Sequence, residues 1–450
     1  MDSPSAVSIL KYKKYRLPAG PSLYHSLKGT RKFIKDPIKE VSKTMELFSG
    51  TFSSALGFSK RGIVTQNPAF INHVLKDNHK GYSKSRLATE MSSKFMGNGI
   101  LFTNGEYWLR QRRMIQPAFH REKLQGLNEL IKTVINDSLT RFPVGTGVDV
   151  CPFLHTMSFN VLIKSLFNIP LPPETVDEIM ELFTQIQEFL MRDATGIAKL
   201  LYFVTRADKI TMQRSLRLRG IIRGIIHQRR SGRDESPDLL QMLMSGTYED
   251  SGEHMPEDQI IDEVMILIFA GHETVANTLS WLLYLLASNQ DILQRLTGSL
   301  AGIPAAGVLT NEYLKATIYE GMRLYPAAWM TERVALEDDR VDEYSFPRGT
   351  IIISFLFGLH RDERLWKDAS TFSPQRFIDE PGAARSGNFY PFGAGPRMCV
   401  GNNFAMVEMS LFLAAFLQQF KLRPTGLVPE MIARITLKPD RVILNVTKNA

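Results

Sequence analysis

Cysteine is scarce in this sequence. Only two of its 450 residues are cysteines, Cys151 and Cys399, and they lie far apart in the chain. Two cysteines cannot supply the framework of several disulfide bonds that stabilises small secreted domains. We therefore expect a reduced, cytoplasmic protein in which Cys151 is a small core residue. Hydrophobic residues make up 44% of the chain, which is enough apolar material for a large core.

Long apolar runs and linkers are also missing. No stretch approaches the roughly 20 apolar residues that a helix needs to cross a bilayer. The N-terminus is polar and basic, without the apolar core of a signal peptide. No Gly/Ser run, Pro-rich spacer or internal repeat interrupts the sequence. We therefore expect a single domain over residues 1–450, a monomer with no membrane span.

Acidic residues are outnumbered by basic ones, and the formal net charge is +8. A basic balance suits nucleic acid, a membrane surface or an acidic protein partner. No segment resembles a nucleic-acid-reading module, so we expect no nucleic-acid partner and favour an acidic protein.

Hydrophobic periodicity predicts a mainly α protein with a minor β part. Apolar residues recur at helical spacing in four clear segments, which are 131–139, 176–190, 211–228 and 258–288. The last would be about 45 Å long by helix rise, which is long enough to cross a whole domain. Short strands are predicted at 62–65, 333–335, 344–347 and 350–354 and in the tail from 432 to 446. A final helix is predicted from about 402 to 419.

Residues 392–401 combine a glycine-rich turn with a cysteine that precedes the final helix. Gly393 and Gly395 permit the positive φ angles of a tight loop. Cys399 comes at the mouth of the helix, where unpaired backbone N–H groups and the helix dipole favour an anionic sulfur. Because the thiolate is the form of cysteine that binds metals, this position suits a metal ligand. Arg397 adds a permanent cation two residues away, well placed for a carboxylate.

A free buried cysteine beside a glycine turn is the alternative interpretation. Against it, five positions of the segment fit one pattern, and average residue usage puts the chance of that on the order of 10⁻⁴. The segment resembles the haem loop of the cytochrome P-450 superfamily, F-x-x-G-x-R-x-C-x-G. The matching residues are Phe392, Gly395, Arg397, Cys399 and Gly401.

The resemblance implies the cytochrome P-450 fold, with haem b between the long central helix and the helix that follows the cysteine. Cys399 would be the axial ligand of the iron, and dioxygen would be the co-substrate. Arg397 would hold a haem propionate, and Phe392 would shield the sulfur side of the ring. Gly393 and Gly401 would complete the cofactor-binding loop.

The segment Ala270-Gly271-His272-Glu273-Thr274 lies in the middle of the long helix and resembles the family's oxygen-binding motif A-G-x-[D/E]-T. The Thr274 hydroxyl can perturb the bonding of the helix backbone, and a local break would make room for dioxygen and water. Glu273 lies in an apolar setting where a lone carboxylate is costly, which favours a role in proton relay. The alternative is an incidental polar pair at a helix crossing. We predict that Glu273 and Thr274 are catalytic.

Three further patterns match the family in the expected order. Glu320 and Arg323 form its E-x-x-R motif, one helical turn apart, and Arg376 would complete a buried structural network with them. Trp108 and Arg112 match W-x-x-x-R and would hold a haem propionate together. The alternative for this pair is an interface tryptophan beside a solvated arginine cluster, of which we expect Arg110 and Arg113 to stay exposed.

The resemblance also implies a further propionate-binding arginine and the lining of the substrate pocket. Arg333, in the first strand after the E-x-x-R helix, would be that arginine. The lining residues would be Phe102, Phe269, Ala270, Ala327 and Ala328. Since these side chains are apolar, we expect a lipophilic substrate. The segment 99–103 makes the chain more similar to fatty-acid-hydroxylating, bacterial-type members than to those acting on small terpenes.

The implied reaction inserts one oxygen atom of dioxygen into the substrate and releases the other as water. Only about 50 residues follow Cys399, too few for a fused reductase domain. We therefore expect a separate ferredoxin-like or flavin-containing partner that docks on the basic face around Arg110 and Arg113. Two alternatives are a peroxide-driven haem enzyme and a non-catalytic haem-binding sensor, neither of which would explain the intact pair Glu273 and Thr274.

Overall fold

The computed structural model describes residues 14–22, 29, 32–56, 60–169, 171–194, 206–231 and 238–449. The helices are α1 (Pro37–Leu47), α2 (Pro68–Asn72), α3 (Arg86–Met96), α4 (Gly105–Ile115), α5 (Arg121–Gln125), α6 (Asn128–Leu139), α7 (Cys151–Phe167), α8 (Pro173–Ala194), α9 (Ala207–Ser231), α10 (Leu239–Ser245), α11 (Glu257–Ser288), α12 (Gln290–Leu300), α13 (Ala305–Val308), α14 (Glu312–Leu324), α15 (Leu356–Leu359), α16 (Gln375–Asp379) and α17 (Asn402–Gln419).

The strands are short. They are β1 (Thr51–Leu56), β2 (Lys60–Thr65), β3 (Tyr82–Ser83), β4 (Gly145–Asp149), β5 (Thr331–Ala335), β6 (Asp339–Val341), β7 (Tyr344–Phe346), β8 (Ile351–Ser354), β9 (Phe420–Pro424), β10 (Met431–Ala433), β11 (Leu437–Pro439) and β12 (Ile443–Lys448). The predicted helices and strands are all present, and the predicted class, mainly α with a minor β part, is confirmed. Five strands were not predicted, namely β1, β3, β4, β6 and β9.

The chain divides into two compact units. The cysteine-loop unit comprises Met1–Ser85, Tyr319–Cys399 and Met431–Lys438. The long-helix unit comprises Arg86–Ile318, Val400–Glu430 and Pro439–Ala450. The single domain expected over residues 1–450 stays a prediction.

A five-stranded sheet forms the frame of the cysteine-loop unit, in the order β1-β2-β8-β5-β3. β2 and β8 run parallel with Ile63 opposite Ile352, and β5 pairs antiparallel with β8. Both isoleucines are fully buried, and they share one apolar cluster with Phe70 and Leu75 of the segment that follows β2. This packing anchors the segment after β2, in which the carbonyl oxygen of Leu75 lies against Gly395 of the cysteine loop.

Helix α11 is the core of the long-helix unit. It spans 32 residues without interruption, and most of its side chains are buried. A helix that is apolar on nearly all sides belongs inside a protein rather than at its surface. Helix α7 packs closely against it at Gly271, where an added Cβ would come within 2.8 Å of a Leu162 methyl carbon. Ser158 of α7 donates a hydrogen bond of 3.1 Å to the His272 carbonyl oxygen.

Two polar groups of the long-helix unit titrate far from their ordinary range. Cys151, expected to be a core residue, is only half-buried at the start of α7, and burial raises the pKa of its thiol to about 12. Glu408 of α17 is 1% exposed, and burial raises the pKa of its carboxyl to about 8, with the Ser158 hydroxyl as a hydrogen-bond partner. Among the described helices we find none whose length and apolar character would let it span a bilayer.

Replacing Glu408 by glutamine should change how stability depends on pH. Between pH 4.5 and about 8 the folded protein keeps the Glu408 proton that the unfolded chain releases, so wild-type stability falls as pH rises. Glutamine does not titrate, so Glu408→Gln should gain up to about 1.4 kcal/mol on wild type for each pH unit in this window. Urea unfolding at several pH values measures the difference. Exposed Glu430 provides the control Glu430→Gln, whose curve should parallel wild type, and a parallel Glu408→Gln curve would contradict the assignment.

Candidate active site

A buried ion-pair network underlies the cysteine-loop unit. Arg323 is fully buried and makes two hydrogen bonds of 2.8 Å to the carboxylate of Glu320, one turn back on α14. Its other donors reach carbonyl oxygens at 2.7 Å on His360 and Ala369. Arg376 joins the same carboxylate at 3.0 Å. The structure therefore contains the predicted network, with both charges of its central pair removed from water.

His360 connects this network to the cysteine loop. Its carbonyl oxygen accepts from Arg323, while its ring Nε2 accepts a 2.9 Å hydrogen bond from the backbone N–H of Tyr390. Burial, with Arg323 and Arg361 nearby, lowers the pKa of His360 to about 3. The ring is therefore neutral and keeps Nε2 free to accept. The buried network, acting through His360, therefore fixes the position of the backbone at Tyr390, just before the loop.

Two glycines shape the cysteine loop, as predicted. Gly393 has a φ of +73° and Gly395 a φ of +65°, both in the left-handed region. At Gly395 a second constraint applies, because an added Cβ would lie 1.9 Å from the carbonyl oxygen of Leu75. The loop is closed by a 2.8 Å hydrogen bond from the Cys399 N–H to the Phe392 carbonyl oxygen. The cysteine is thereby presented at a fixed point of the backbone.

Around the sulfur, the loop leaves Cys399 exposed and Phe392 half-buried. Helix α17 begins three residues later, at Asn402, and its N-cap residue Gly401 has no side chain to cap the first turn. Gly401 has a φ of −87°, so its backbone conformation does not itself require glycine. Cys399 therefore precedes the start of α17 by three residues, as the sequence predicts.

Three cations come together in the cysteine-loop unit. Arg333 is 8% exposed and donates to Thr331 Oγ1 and to the Glu332 carbonyl oxygen, neither of which carries a negative charge. Burial and the neighbouring Arg333 lower the pKa of Arg397 to about 10. Burial, Arg333 and Arg397 lower the pKa of Lys84 to about 7. The Glu332 carboxylate offsets part of this repulsion at Lys84 and Arg333. A bound anion would relieve the rest, because an opposite charge nearby stabilises the charged form of each cation.

The residues of this unit fit the haem that the resemblance implies. A thiol on a rigid loop supplies the one soft ligand that the iron needs from the protein. The three cations supply the charge that the carboxylates of a haem need. Arg333 and Arg397 were identified from the sequence, whereas Lys84 was missed, because an isolated lysine beside a two-residue strand carries no signal of its own.

The oxygen-motif residues interrupt the burial of α11. Ala270 is exposed, and Gly271, Glu273 and Thr274 are half-buried, although their neighbours on both sides are buried. Thr274 Oγ1 donates a 2.8 Å hydrogen bond to the Ala270 carbonyl oxygen, as the motif predicts. The predicted local break is absent, since α11 continues through this turn. The hydroxyl is satisfied by the helix backbone without opening it.

The predicted surroundings of the acid need correcting. Glu273 accepts a hydrogen bond from the side-chain amide of Gln187 on α8, so it is not a lone carboxylate in an apolar setting. Its neighbour His272 points into the core, where its ring meets Phe159 edge-to-face at 5.4 Å, and burial lowers its pKa. The two adjacent side chains therefore have opposite environments, and only Glu273 is accessible for proton transfer.

Helix α4 carries the W-x-x-x-R residues. Trp108 is buried, and Arg112 is half-buried with its Nε donating to Gln116 at 3.3 Å. Arg113 is exposed, as expected. The side chain of Arg110 is 39% exposed, and it also forms a 3.1 Å ion pair with Asp250 and stacks over the Tyr248 ring at 3.9 Å. This exposed ion pair offsets part of the charge that Arg110 adds to the predicted docking face.

The predicted pocket residues lie in two places. In the long-helix unit the Phe102 ring meets the Phe269 ring edge-to-face at 5.9 Å, and Phe183 of α8, which was not predicted, lies 6.4 Å from Phe269. In the cysteine-loop unit Ala327 is half-buried and Ala328 exposed, in the segment between α14 and β5. All of these side chains are apolar, so each group offers a surface for a lipophilic molecule.

Comparison with known proteins identifies a family and a fold. A family model described as "Cytochrome P450" matches residues 18–446. The relatives include cyclooctat-9-en-7-ol 5-monooxygenase of Streptomyces melanosporofaciens, 27% identical over 81% of this chain and 81% of its own. Pentalenene oxygenase of Streptomyces avermitilis is 28% identical over 85% and 86%, and cytokinin hydroxylase of Arabidopsis thaliana is 29% identical over 78% and 71%. None of these three names refers to fatty acids, so the fatty-acid preference stays a prediction.

The structural comparison agrees. The crystal structure of the cytochrome P450DA haem domain superposes with a TM-score of 0.84 at 19% identity, covering 96% of each chain. The predicted fold is therefore confirmed.

Alanine substitutions at the two loop glycines should separate backbone strain from steric exclusion. Gly393→Ala meets no atom within 4 Å and should cost only the roughly 1–2 kcal/mol of a left-handed residue. Gly395→Ala adds the clash with the Leu75 carbonyl oxygen and should displace the loop. Haem content per chain and thermal unfolding of both purified variants are the measurements. We expect Gly395→Ala to retain little haem and Gly393→Ala to retain most, and equal retention would contradict the close approach.

Proposed function

The chain belongs to the cytochrome P450 family, and we propose that it hydroxylates a lipophilic organic substrate with Cys399 as the axial ligand of its haem. Members of this family named among its relatives are monooxygenases and hydroxylases. The enzyme inserts one oxygen atom of dioxygen into its substrate. The observation that carries our assignment of the site is the cysteine loop, which holds an exposed cysteine in the same unit as three clustered cations.

Each part of the loop has a proposed role toward the cofactor. When bound, the haem supplies the iron that activates dioxygen, and thiolate ligation favours cleavage of the O–O bond. Gly393 keeps the loop in the shape that presents Cys399, Phe392 shields the sulfur side of the ring, and Gly401 completes the cofactor-binding loop before α17. Arg333, Arg397 and Lys84 hold the carboxylates of the haem.

On helix α4 we assign the same cofactor-binding role to Trp108 and Arg112. Glu320, Arg323 and Arg376 have a structural role, because they form ion pairs with one another and hydrogen bonds to backbone carbonyl oxygens.

Proton delivery is assigned to two residues of α11. Glu273 is half-buried and hydrogen-bonded to Gln187, so its carboxyl can exchange a proton while its position is held. Thr274 Oγ1 can pass a proton on by turning away from the Ala270 carbonyl oxygen, to which it now donates. A hydroxyl that both donates and accepts suits this step. Oxygen chemistry that consumes protons therefore has an acid and a relay on adjacent residues.

The proposed substrate is a lipophilic molecule bound by Phe102, Phe269, Ala270, Ala327 and Ala328. Spectral titration of the haem band should rank substrate classes in one experiment, using a panel of fatty acids, steroids, cyclooctat-9-en-7-ol and pentalenene. The last two are chosen because relatives are named for them. Saturable shifts with apolar compounds and none with polar ones would fit the pocket.

Electrons come from a redox partner, which we propose is a separate ferredoxin-like or flavin-containing protein in the cytoplasm. The net charge of +8 favours an acidic partner surface. Both Arg110 and exposed Arg113 belong to the proposed docking face, although the ion pair with Asp250 offsets part of the Arg110 charge. A peroxide-driven reaction is the alternative, and full-rate product formation from peroxide without any electron donor would favour it.

Replacing Thr274 by alanine should uncouple electron use from product formation. Without the Oγ1 relay, product per electron should fall by about tenfold or more, and hydrogen peroxide should appear instead. Product, electron donor consumed and peroxide are measured together. The matched control is Thr278→Ala one turn along α11, since its hydroxyl makes the same kind of 2.8 Å bond to a backbone carbonyl. Equal coupling in both variants would remove Thr274 from the mechanism.

Lys84→Met tests the cation that the sequence did not reveal. Losing one charge-assisted hydrogen bond costs about 1.5–3 kcal/mol, so haem should dissociate about tenfold faster or more. Transfer of haem to an excess of an apo-haem-protein acceptor gives the rate. Exposed Lys80 supplies the control Lys80→Met. A wild-type rate in Lys84→Met would exclude Lys84 from the cofactor site.

A further inference from the structure

Two adjacent acids of α11 hold the loop between α3 and α4. This loop, residues 97–104, is called the clamped loop here. Asp262 Oδ2 accepts a 2.7 Å hydrogen bond from the backbone N–H of Asn98. Glu263 Oε2 accepts a 3.0 Å hydrogen bond from the backbone N–H of Ile100. Each acid therefore binds a main-chain amide, and the two amides are two residues apart.

Glycine allows the clamped loop to lie directly on the helix. Gly97 has a φ of +82°, and an added Cβ would come within 2.1 Å of Asp262 Oδ1. At Gly99 an added Cβ would lie 2.5 Å from an Ile266 side-chain carbon and 2.9 Å from Glu263 Oε2. No side chain at these positions would permit the observed approach.

The acids are themselves held in place. Asp262 is 7% exposed and forms an ion pair with Arg219 of α9. Glu263 is fully buried, and its second oxygen accepts a 2.7 Å hydrogen bond from Gln259 Nε2, which also reaches the Asn98 carbonyl oxygen at 3.3 Å. The hydroxyl of Tyr107 donates to the same glutamine side chain. Neither acid can move without breaking a buried interaction.

The clamped loop ends at a predicted pocket residue. The Phe102 N–H donates to the Gly99 carbonyl oxygen at 3.0 Å, and the Thr103 hydroxyl reaches the same oxygen at 3.2 Å. The Phe102 ring then meets Phe269, which lies on the same helix as the two acids. One rigid helix thus sets both partners of this aromatic contact, one directly and one through the loop.

We propose that Asp262 and Glu263 are positioning residues for substrate selection, fixing the separation of Phe102 from Phe269 through the clamped loop. The inference rests on the proposed function in taking these two rings as part of the substrate surface. The acids touch no substrate and act only through the loop backbone.

The two acids do this with different chemistry. Asp262 forms an ion pair with Arg219. Glu263 forms no ion pair with any of the described residues, and burial raises its pKa to about 8, with Asp262 adding to the rise. Its Oε2 accepts from the Ile100 N–H, and its Oε1 accepts from Gln259 Nε2. Glutamine keeps one oxygen that can accept from Ile100, and leucine keeps none.

Hydrogen exchange in the haem-loaded protein without substrate tests the clamp. In Glu263→Leu, amides 98–103 should exchange at least tenfold faster than in wild type, while Glu263→Gln should stay within about twofold. Gly99→Ala pushes the loop off the helix without altering either acid and should reproduce the leucine result, even if Glu263→Leu fails to fold. Gly220→Ala on α9 is the control, because its added Cβ meets no atom within 4 Å.

Spectral dissociation constants for the substrate panel test selection. Glu263→Leu and Gly99→Ala should change the ratio between a bulky and a slender apolar ligand by at least fivefold, and Glu263→Gln should not. Wild-type exchange in both loop-releasing variants would overturn the clamp. Faster exchange with an unchanged ligand ratio would overturn the role in selection. Neither measurement needs turnover, so a failure of monooxygenase activity would count against the proposed function alone.

Discussion

A guanidinium group without access to water organises the cysteine-loop unit. Arg323 is compensated by Glu320 and fixes backbone carbonyl oxygens of the segment that follows β8. Removing one partner of such a buried pair costs about 3–5 kcal/mol, so the geometry around it is strongly enforced. His360 in turn accepts a hydrogen bond from the backbone N–H of Tyr390, which fixes the chain just before the loop that carries Cys399. A salt bridge distant in sequence from the cysteine thereby determines where the loop begins.

Helix α11 organises the long-helix unit, as the ion pair of Arg323 and Glu320 organises the cysteine-loop unit. It is apolar on most sides, and several of its polar side chains have a specific task. Asp262 and Glu263 hold a neighbouring loop, and Thr274 bonds to the backbone of its own helix. Since a long, fully packed helix resists bending, groups placed along it keep their spacing. The position of the clamped loop and the delivery of protons therefore both require this helix to be rigid.

Local patterns could be predicted from the sequence, and long-range partners could not. The φ angles of Gly393 and Gly395 follow from their place in a tight turn, and α11 follows from its periodicity. The partner of Arg110 could not be predicted because Asp250 is 140 residues away, and that of Glu273 could not because Gln187 is 86 residues away. The strands β1, β3, β4, β6 and β9 were missed, since short strands carry little periodic signal. The proposed role of Lys84 could not be predicted, because it depends on two arginines that only folding brings beside it.

Arg323 holds this segment through main-chain oxygens and also lies over the Trp366 ring, 5.4 Å from the ring centroid. Backbone carbonyls are the same in every residue type, so substitutions at the exposed positions between His360 and Thr371 leave the acceptors unchanged as long as the chain keeps its course. Those exposed positions can therefore drift in sequence over evolutionary time without loosening the frame beneath them. Variation in surface charge can accumulate there at little energetic penalty, while Arg323, Glu320, His360 and Trp366 are the positions that selection must keep.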